Sequence, residues 1–282
     1  KKSLDEKKFN KFFYYYLHLR KKKIPKILDI INPVTFNEKI IWLKMNQKYP
    51  NAHLLADKLL VKDFVEKKIG SKYIIPTIAS FDNSEQIDFN NLPESFVLKA
   101  NHGSGWNIIC GDKTKLNIKE TRKKLNSWLK INYYKIGKEY QYDKITPKII
   151  CEKYLENCPE KPLLDYKFFC FSGKPTFIQV DNDRFTNHTR NFYDLKWELL
   201  PFTCLYPIGT KKVVKPELLS EMVTLAKKLS EGMIFARIDF YFFEKKIYFG
   251  EITFHPGGGF EPFMPSEWDY KVGQFLTLPF GN

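Results

Sequence analysis

Apolar residues recur at helical spacing from the start of the chain. Phe9, Phe12, Phe13, Tyr16 and Leu17 follow i, i+3, i+4, i+7, i+8 spacing and predict an amphipathic helix over 3–24, ended by Pro25. Lys7, Lys8, Lys11 and the run Arg20 to Lys23 lie mostly off that stripe. Such a basic helix either docks on an anionic membrane surface or a partner, or packs on its own domain. Phe36 to Leu43 reads as a second helix, capped by Thr35 or Asn37, with Trp42 facing inward. Residues 54–68 read as a third, with Leu55, Leu59, Leu60 and Phe64 on its apolar side and Gly70 as its stop.

The texture then turns to short apolar runs. Ser95 to Ala100 and Ile108 to Cys110 flank Asn101-His102-Gly103-Ser104-Gly105-Trp106-Asn107, which is strand, glycine loop, strand. Residues 119–131 return to helix, with Leu125, Trp128 and Leu129 on one face. Lys148 to Tyr154 is a further strand. Tyr166 to Phe171 and Thr176 to Val180 flank Ser172-Gly173-Lys174-Pro175 as a hairpin. Leu218 to Leu229 is an amphipathic helix. Ile234 to Phe243 and Lys246 to Ile252 form a second hairpin across Glu244-Lys245, and Pro256 to Gly259 is a flexible glycine-rich loop. The order predicts an α+β protein: an N-terminal helical segment over 1–50, a smaller lobe over 51–148 and a larger lobe over 149–282 dominated by antiparallel hairpins.

Charge adds one constraint. The 282 residues carry 46 Lys and Arg against 32 Asp and Glu, a formal net charge of +14. Only Arg20, Arg122, Arg184, Arg190 and Arg237 are arginines. Phosphate and base recognition favours the arginine fork, so no nucleic-acid partner is expected. Residues 1–26 hold ten basic and two acidic groups, more than half of the excess. Hydrophobic residues at 43% exclude a mainly disordered chain. No run of eighteen apolar residues predicts a membrane span, and no apolar stretch behind Lys1, Lys2 and Ser3 predicts a signal peptide. Cys110, Cys151, Cys158, Cys170 and Cys204 form no C-x-x-C pair, which reads as buried thiols in a reducing cytoplasm and argues against zinc.

The chemistry-bearing residues fall in three groups. Asp239 and Glu251 lie on consecutive strands, twelve apart across a tight turn, and can stand side by side. Adjacent carboxylates need a cation between them. Oxygen-only ligation suits magnesium, and a salt bridge from Arg237 or a lysine to Asp239 is the plainer alternative. Gly103, Ser104 and Gly105 offer backbone N–H groups to a phosphate or make an ordinary hairpin turn. Lys99, inside an apolar strand, needs an anion to neutralise, and Lys58 is a second candidate. Glu152 follows an apolar strand where the chain leaves the smaller lobe, and a hinge there exposes backbone groups to an adenine edge. Asp165 and Lys167, two apart on one strand face, suit a ribose and a phosphate.

The stretches ADKLLVKDFVEKKIG, FVLKANHGSGWNIIC, IICEKYLE, DYKFFCFSGKP, DRFTNHTRNFYD and RIDFY followed by KIYFGEITFHPGGGF resemble the TupA-like branch of the ATP-grasp superfamily over roughly residues 9 to 280. The resemblance implies two α+β lobes with antiparallel sheets clasping ATP, preceded by N-terminal helices. It implies that Lys58 and Lys99 hold ATP phosphates and that Gly103, Ser104 and Gly105 close over them. Glu152, Lys153, Tyr154 and Leu155 then read adenine, Asp165 holds the ribose and Lys167 a phosphate. Asp239 and Glu251 ligate magnesium, and Arg237 steadies an acyl phosphate. Thr253 stands where many members have a metal-binding asparagine.

The implied activity is a carboxylate–amine ligase that makes an amide through an acyl phosphate. Its substrates would be a uronic acid, polymeric or on a sugar nucleotide, and an amino acid or amino alcohol. Arg184, His188 and Arg190 suit an anionic substrate or a salt-bridged structural loop, and His255, Gly257 and Gly258 are placed to shape the acceptor pocket. The expected location is the cytoplasm, with membrane docking through the basic helix left open. A glycosyltransferase is the rival class, since Asp181-Asn182-Asp183 satisfies D-x-D, and a non-catalytic polysaccharide- or membrane-binding adaptor is a third.

Overall fold

A computed structural model of the chain describes residues 2–20, 27–155, 163–183, 187–210 and 213–279. The chain divides into two compact units, residues 50–163 and residues 1–49 together with 164–282. The division therefore differs from the three segments read from the sequence. The N-terminal helices share a core with the C-terminal strands, and the strand at 149–153 pairs within the smaller unit.

Helix α1 spans Lys2–Arg20 and α2 spans Phe36–Asn46. The buried line of α1 is Asn10, Tyr14 and His18, with Phe9, Phe13 and Leu17 half-buried beside it. Phe12 is 67% exposed, so the packed face is rotated from the apolar stripe. Tyr14 packs in a cluster with Leu28, Ile41 and Phe260. His18 can sit there because its Nδ1 bonds the Tyr14 carbonyl at 2.9 Å. The helix thus packs on its own unit; residues 21–26, including Pro25, lie outside the described ones.

A capping box closes the start of α2: Thr35 accepts from the Glu38 N–H, and Glu38 reaches back to the Thr35 N–H. Glu38 also accepts from Asp29 and Val34 N–H groups. In the smaller unit, the helix expected over 54–68 is two: α3, Ala52–Ala56, and α4, Val61–Ile69. Asp57 breaks it. Its Oδ1 accepts from Leu59 and Leu60 N–H, and this local bonding competes with the helix. Strands β1 (Thr77–Phe81), β2 (Phe96–Ala100), β3 (Asn107–Cys110) and β4 (Ile149–Lys153) form an antiparallel sheet of order β1-β4-β2-β3. Helix α5, Ile118–Leu129, adds Leu125 to the core under that sheet, and α6 is the short Tyr134–Gly137.

The larger unit holds β5 (Asp165–Phe171), β6 (Lys174–Asn182), β7 (Thr189–Asp194), β8 (Thr203–Cys204), β9 (Phe235–Phe243), β10 (Lys246–Thr253) and β11 (Phe263–Met264). The five-stranded antiparallel sheet runs β10-β9-β5-β6-β7, and β11 pairs with β8. Helix α7, Leu219–Leu229, lies on this sheet through its contacts with β5, β6 and β9. Helix α8 is Glu267–Gly273. Phe36 of α2 packs on Phe169, Phe171 and Phe235. Among the described residues four cysteines are free and buried; Cys158 lies outside them.

The segment Pro256–Gly259, read from sequence as a flexible loop, is a buried turn. Gly257, Gly258 and Gly259 have φ of +55°, +65° and +78°. A Cβ on Gly259 would meet Ile41 Cγ1 at 2.7 Å and the Asn37 carbonyl at 2.9 Å, so glycine here permits close packing on α2.

Asp269 secures the other side of α2. It accepts from Asn37 N–H at 2.9 Å and from Asn37 Nδ2 at 3.1 Å. Burial raises its carboxyl from 3.8 to about 6. The folded state therefore holds this proton more tightly than the unfolded chain. That contribution is complete below 3.8 and is lost as pH rises toward 6. An Asp269→Asn variant lacks the titration. The wild type's unfolding free energy should fall relative to the variant's by up to about 3 kcal/mol between pH 4 and 7. Paired urea titrations at each pH measure the difference, and a flat difference would refute the assignment.

Candidate active site

One face of the five-stranded sheet is divided along its strands. On β5, Asp165 and Lys167 share a face with Phe169 and Phe171. The phenylalanine end joins the core under α2. The other end carries charge. Lys167 stands opposite Asp239 of β9, Asp239 opposite Glu251 of β10, and Arg237 opposite Thr253. The expected neighbourhood of Asp239 and Glu251 is thus set by strand register. A bulge between Phe249 and Glu251 adjusts β10, and a Cβ on Gly250 would come within 3.1 Å of the Asp239 carbonyl.

Arg237 links the two carboxylates. Its Nε and Nη2 donate to the two oxygens of Asp239 at 2.7 and 2.6 Å, and Nη2 also donates to Glu251 Oε1 at 2.8 Å. Thr253 accepts from Arg237 Nη2 at 3.1 Å and donates to Glu251 at 2.9 Å. The salt bridge from Arg237 to Asp239 is therefore present. Lys167 donates to Asp165 and lies 3.5 Å from Asp239 and 3.7 Å from Asp181. Burial lifts the Asp239 carboxyl to about 6 against the pull of Arg237 and Lys167. Burial would lower Lys167, yet Asp165 and Asp239 outweigh it and raise the ammonium above its usual value.

Asp181, on β6, opposite Arg190 of β7, extends the cluster. It accepts from Arg190 Nε at 2.7 Å, and His188 Nε2 lies 3.1 Å from the same oxygen. Arg190 also donates to Glu261 at 2.7 Å and to the Cys204 carbonyl at 3.2 Å. Burial would raise Asp181, but Arg190 and Lys167 hold it well below the usual carboxylate range. Arg190 is thus a buried ion-pair residue, which favours the salt-bridged reading of this stretch over direct substrate contact. Asp181 of the D-x-D triplet is engaged in the same pairs. Arg184 lies outside the described residues. His255 is 3% exposed, and Gly258 is buried with its carbonyl accepting from Lys44 Nζ at 2.9 Å.

The smaller unit gathers a second group. Glu152 on β4 is held between two ammonium groups: Lys62 at 2.5 Å from Oε1 and Lys99 at 2.6 Å from Oε2. Burial pushes its carboxyl up, but Lys99 and Lys62 outweigh that and keep it below its usual value. Lys99 has therefore found the anion its strand position demands, and that anion is Glu152. Lys62, on α4, carried no signal of its own in the sequence. Lys153 and Tyr154 follow on the chain, with Lys153 exposed and Leu155 buried.

The glycine loop is anchored at its base. Asn101 donates to Asp57 Oδ2 at 2.8 Å and the Thr146 carbonyl at 3.0 Å, and accepts from Lys148 N–H at 2.7 Å. Lys58 lies in the turn after α3, donates its backbone N–H to the Asn101 carbonyl at 3.2 Å, and donates Nζ to the Gly103 carbonyl. A Cβ on Gly103 would strike Trp106 at 2.6 Å and Tyr133 at 2.9 Å. Ser104 and Gly105 are exposed at the tip, with Gly105 at φ +74°.

The donor set beside Arg237 fits a hard divalent cation: two carboxylates in register and a hydroxyl, oxygen atoms only. Among the described residues no group of three or more His, Cys, Asp or Glu side chains is arranged to hold a metal ion. The protein part of such a site would be Asp239, Glu251 and Thr253.

No curated protein matches the chain. Among solved structures it is similar to D-alanine–D-alanine ligase from Bacillus anthracis complexed with ATP, at 17% identity and a TM-score of 0.41, covering 72% of this chain and 55% of that one. The corresponding ligase from Helicobacter pylori gives 18%, 0.41, 79% and 62%. Phosphoribosylamine–glycine ligase from Thermotoga maritima gives 14%, 0.44, 72% and 48%. The chain thus spans about half to three-fifths of the length of these proteins. The sequence profile of the TupA-like ATP-grasp family matches residues 38–277. The chain belongs to the TupA-like ATP-grasp family.

Proposed function

We propose that the chain is an ATP- and magnesium-dependent carboxylate–amine ligase. The observation that carries the reading is the Arg237, Asp239, Glu251 and Lys167 cluster, in which two carboxylates, a guanidinium and an ammonium converge on one sheet face. Asp239, Glu251 and Thr253 would hold magnesium, which when bound supplies positive charge to the ATP phosphate oxygens. Lys58 and Lys99 would bind phosphate, and the tip of the glycine loop would cover it. The hinge from Glu152 to Leu155 would face adenine, and Asp165 the ribose.

A substrate carboxylate oxygen attacks the γ-phosphorus, forming a P–O bond as the bond to the ADP oxygen breaks. Arg237 steadies the resulting acyl phosphate through its guanidinium. The amine then attacks the carbonyl carbon, loses a proton, and expels phosphate to leave an amide. Water must be excluded, since hydrolysis would consume the acyl phosphate unproductively.

The carboxylate we propose is a uronic acid of a surface polysaccharide or of its sugar-nucleotide precursor, and the amine an amino acid or amino alcohol. Need for ATP argues for the cytoplasm. No helix among the described residues is long and apolar enough to cross a membrane. The test is incubation with ATP, magnesium, glucuronate-bearing acceptors and a panel of amines. ADP and phosphate release dependent on both partners is expected. Release of UDP from a sugar nucleotide, with no stimulated ADP formation, would instead identify a glycosyltransferase.

A further inference from the structure

The larger unit holds a cavity of about 990 Å³ whose lining includes residues of α1, the start of α2, the segment 262–266 and α8. It is distinct in lining from the Arg237 cluster. Its chemistry is unusual for this chain. In a protein of formal charge +14, the charged lining among the described residues is Asp29, Glu38, Glu267 and Asp269 against Lys271. Burial lowers the pKa of His18, so its imidazole adds no charge at neutral pH.

Two observations point to a cationic ligand. Glu38 and Asp269 are 6% and 8% exposed, and their partners are neutral: N–H groups of Asp29, Val34, Thr35 and Asn37, and the Thr35 side chain on Asp269. Among the described residues no Lys, Arg or His forms an ion pair with either carboxylate. Buried carboxylates ordinarily have a counter-charge. Independently, Tyr14 is 5% exposed and lines the cavity, yet among the described residues nothing hydrogen-bonds its hydroxyl. Burial, then the Asp269 and Glu38 carboxylates, push that hydroxyl's pKa up, which keeps it neutral.

We propose that this cavity binds an organic ammonium ion, with the cationic head at Tyr14, Glu38 and Asp269 and an apolar body along Phe263, Pro265 and Tyr270. An ammonium donates three hydrogen bonds and accepts none, which matches a phenol oxygen and carboxylate lone pairs. A metal cation would demand several more oxygen ligands. The site is independent of the ligase reading, because it is read by binding alone.

The probe is 2-phenylethylammonium, with neutral 2-phenylethanol as its control, titrated calorimetrically into the full chain at pH 7.5. Saturable binding in the millimolar range or tighter is expected for the amine. The alcohol should bind at least roughly tenfold more weakly. Tyr14→Phe keeps the ring and removes only the hydroxyl, so the ligand-free melting temperature should not fall, while amine affinity drops roughly tenfold. Asp269→Asn should weaken the amine further without affecting the alcohol. Equal binding of amine and alcohol, no saturable heat, or amine affinity unchanged in a folded Tyr14→Phe protein would each overturn the assignment.

Discussion

Glu251→Gln should lower ATP-dependent turnover by about three orders of magnitude while leaving the fold intact. Glutamine keeps the shape and a carbonyl oxygen that can still accept from Arg237 Nη2 and the Thr253 hydroxyl, now at 2.8 and 2.9 Å. What it removes is a full negative charge from one of two carboxylates in register. Its side chain is 35% exposed, and Arg237 retains both bonds to Asp239, so little structural cost follows. The measurement is ADP formation at saturating Mg-ATP, beside a urea midpoint for each protein. Turnover within tenfold of wild type would remove Glu251 from the metal site.

Lys167→Met should destabilise the larger unit by about 3–5 kcal/mol. The lysine side chain is 6% exposed and lies among three carboxylates, Asp165, Asp181 and Asp239. Methionine fills a similar volume, so the cost comes from charge. Asp239 keeps Arg237 and Asp181 keeps Arg190, but Asp165 loses the Lys167 ammonium. Equilibrium urea unfolding followed by near-ultraviolet circular dichroism measures the loss. A change below about 1 kcal/mol would mean that the neighbouring arginines already balance the cluster. The two substitutions separate roles within one cluster: Glu251 is expected to matter for chemistry and Lys167 for holding the buried charges together.

Much of this cluster was legible before any coordinates. The alternation Arg237-Ile238-Asp239 inside an apolar strand fixes that Arg237 and Asp239 share a face, and the two-residue turn brings Glu251 to the neighbouring strand. A strict period of two from Lys246 opposite Phe243 would set Gly250 opposite Asp239, and the bulge between Phe249 and Glu251 is what brings Glu251 there. The hairpins at 165–182 and 235–253, the glycine loop between two strands and the helix at 219–229 follow from the same local rules. Lys99 was legible as a residue needing an anion, because an ammonium in an apolar strand is costly to leave unpaired.

Other features were hidden for identifiable reasons. The break between α3 and α4 depends on the Asp57 side chain bonding to the backbone, a choice that apolar spacing does not report. Apolar spacing does not give the packed face of α1, because Asn10 and His18 are polar yet buried, while Phe12 is aromatic yet exposed. Arg190 resembled a substrate ligand because its partners, Asp181 and Glu261, lie 9 and 71 residues away. Lys62 gave no signal, since its role arises only when α4 brings it to Glu152, ninety residues later in the chain.

By itself the sequence determined the α+β class and the order of the elements through short-range periodicity, the family through the resemblance of its motifs, and the placing of Asp239 and Glu251 on adjacent strands through a tight turn. Tertiary structure decided which cations meet which carboxylates, and it joined the N-terminal helices to the C-terminal strands. It also made Pro256–Gly259 a buried turn and placed Glu38 and Asp269 on the lining of a cavity. The physical reason is range. Hydrophobic period and turn chemistry act over a few residues, whereas burial and Coulomb pairing act between groups that only folding brings together.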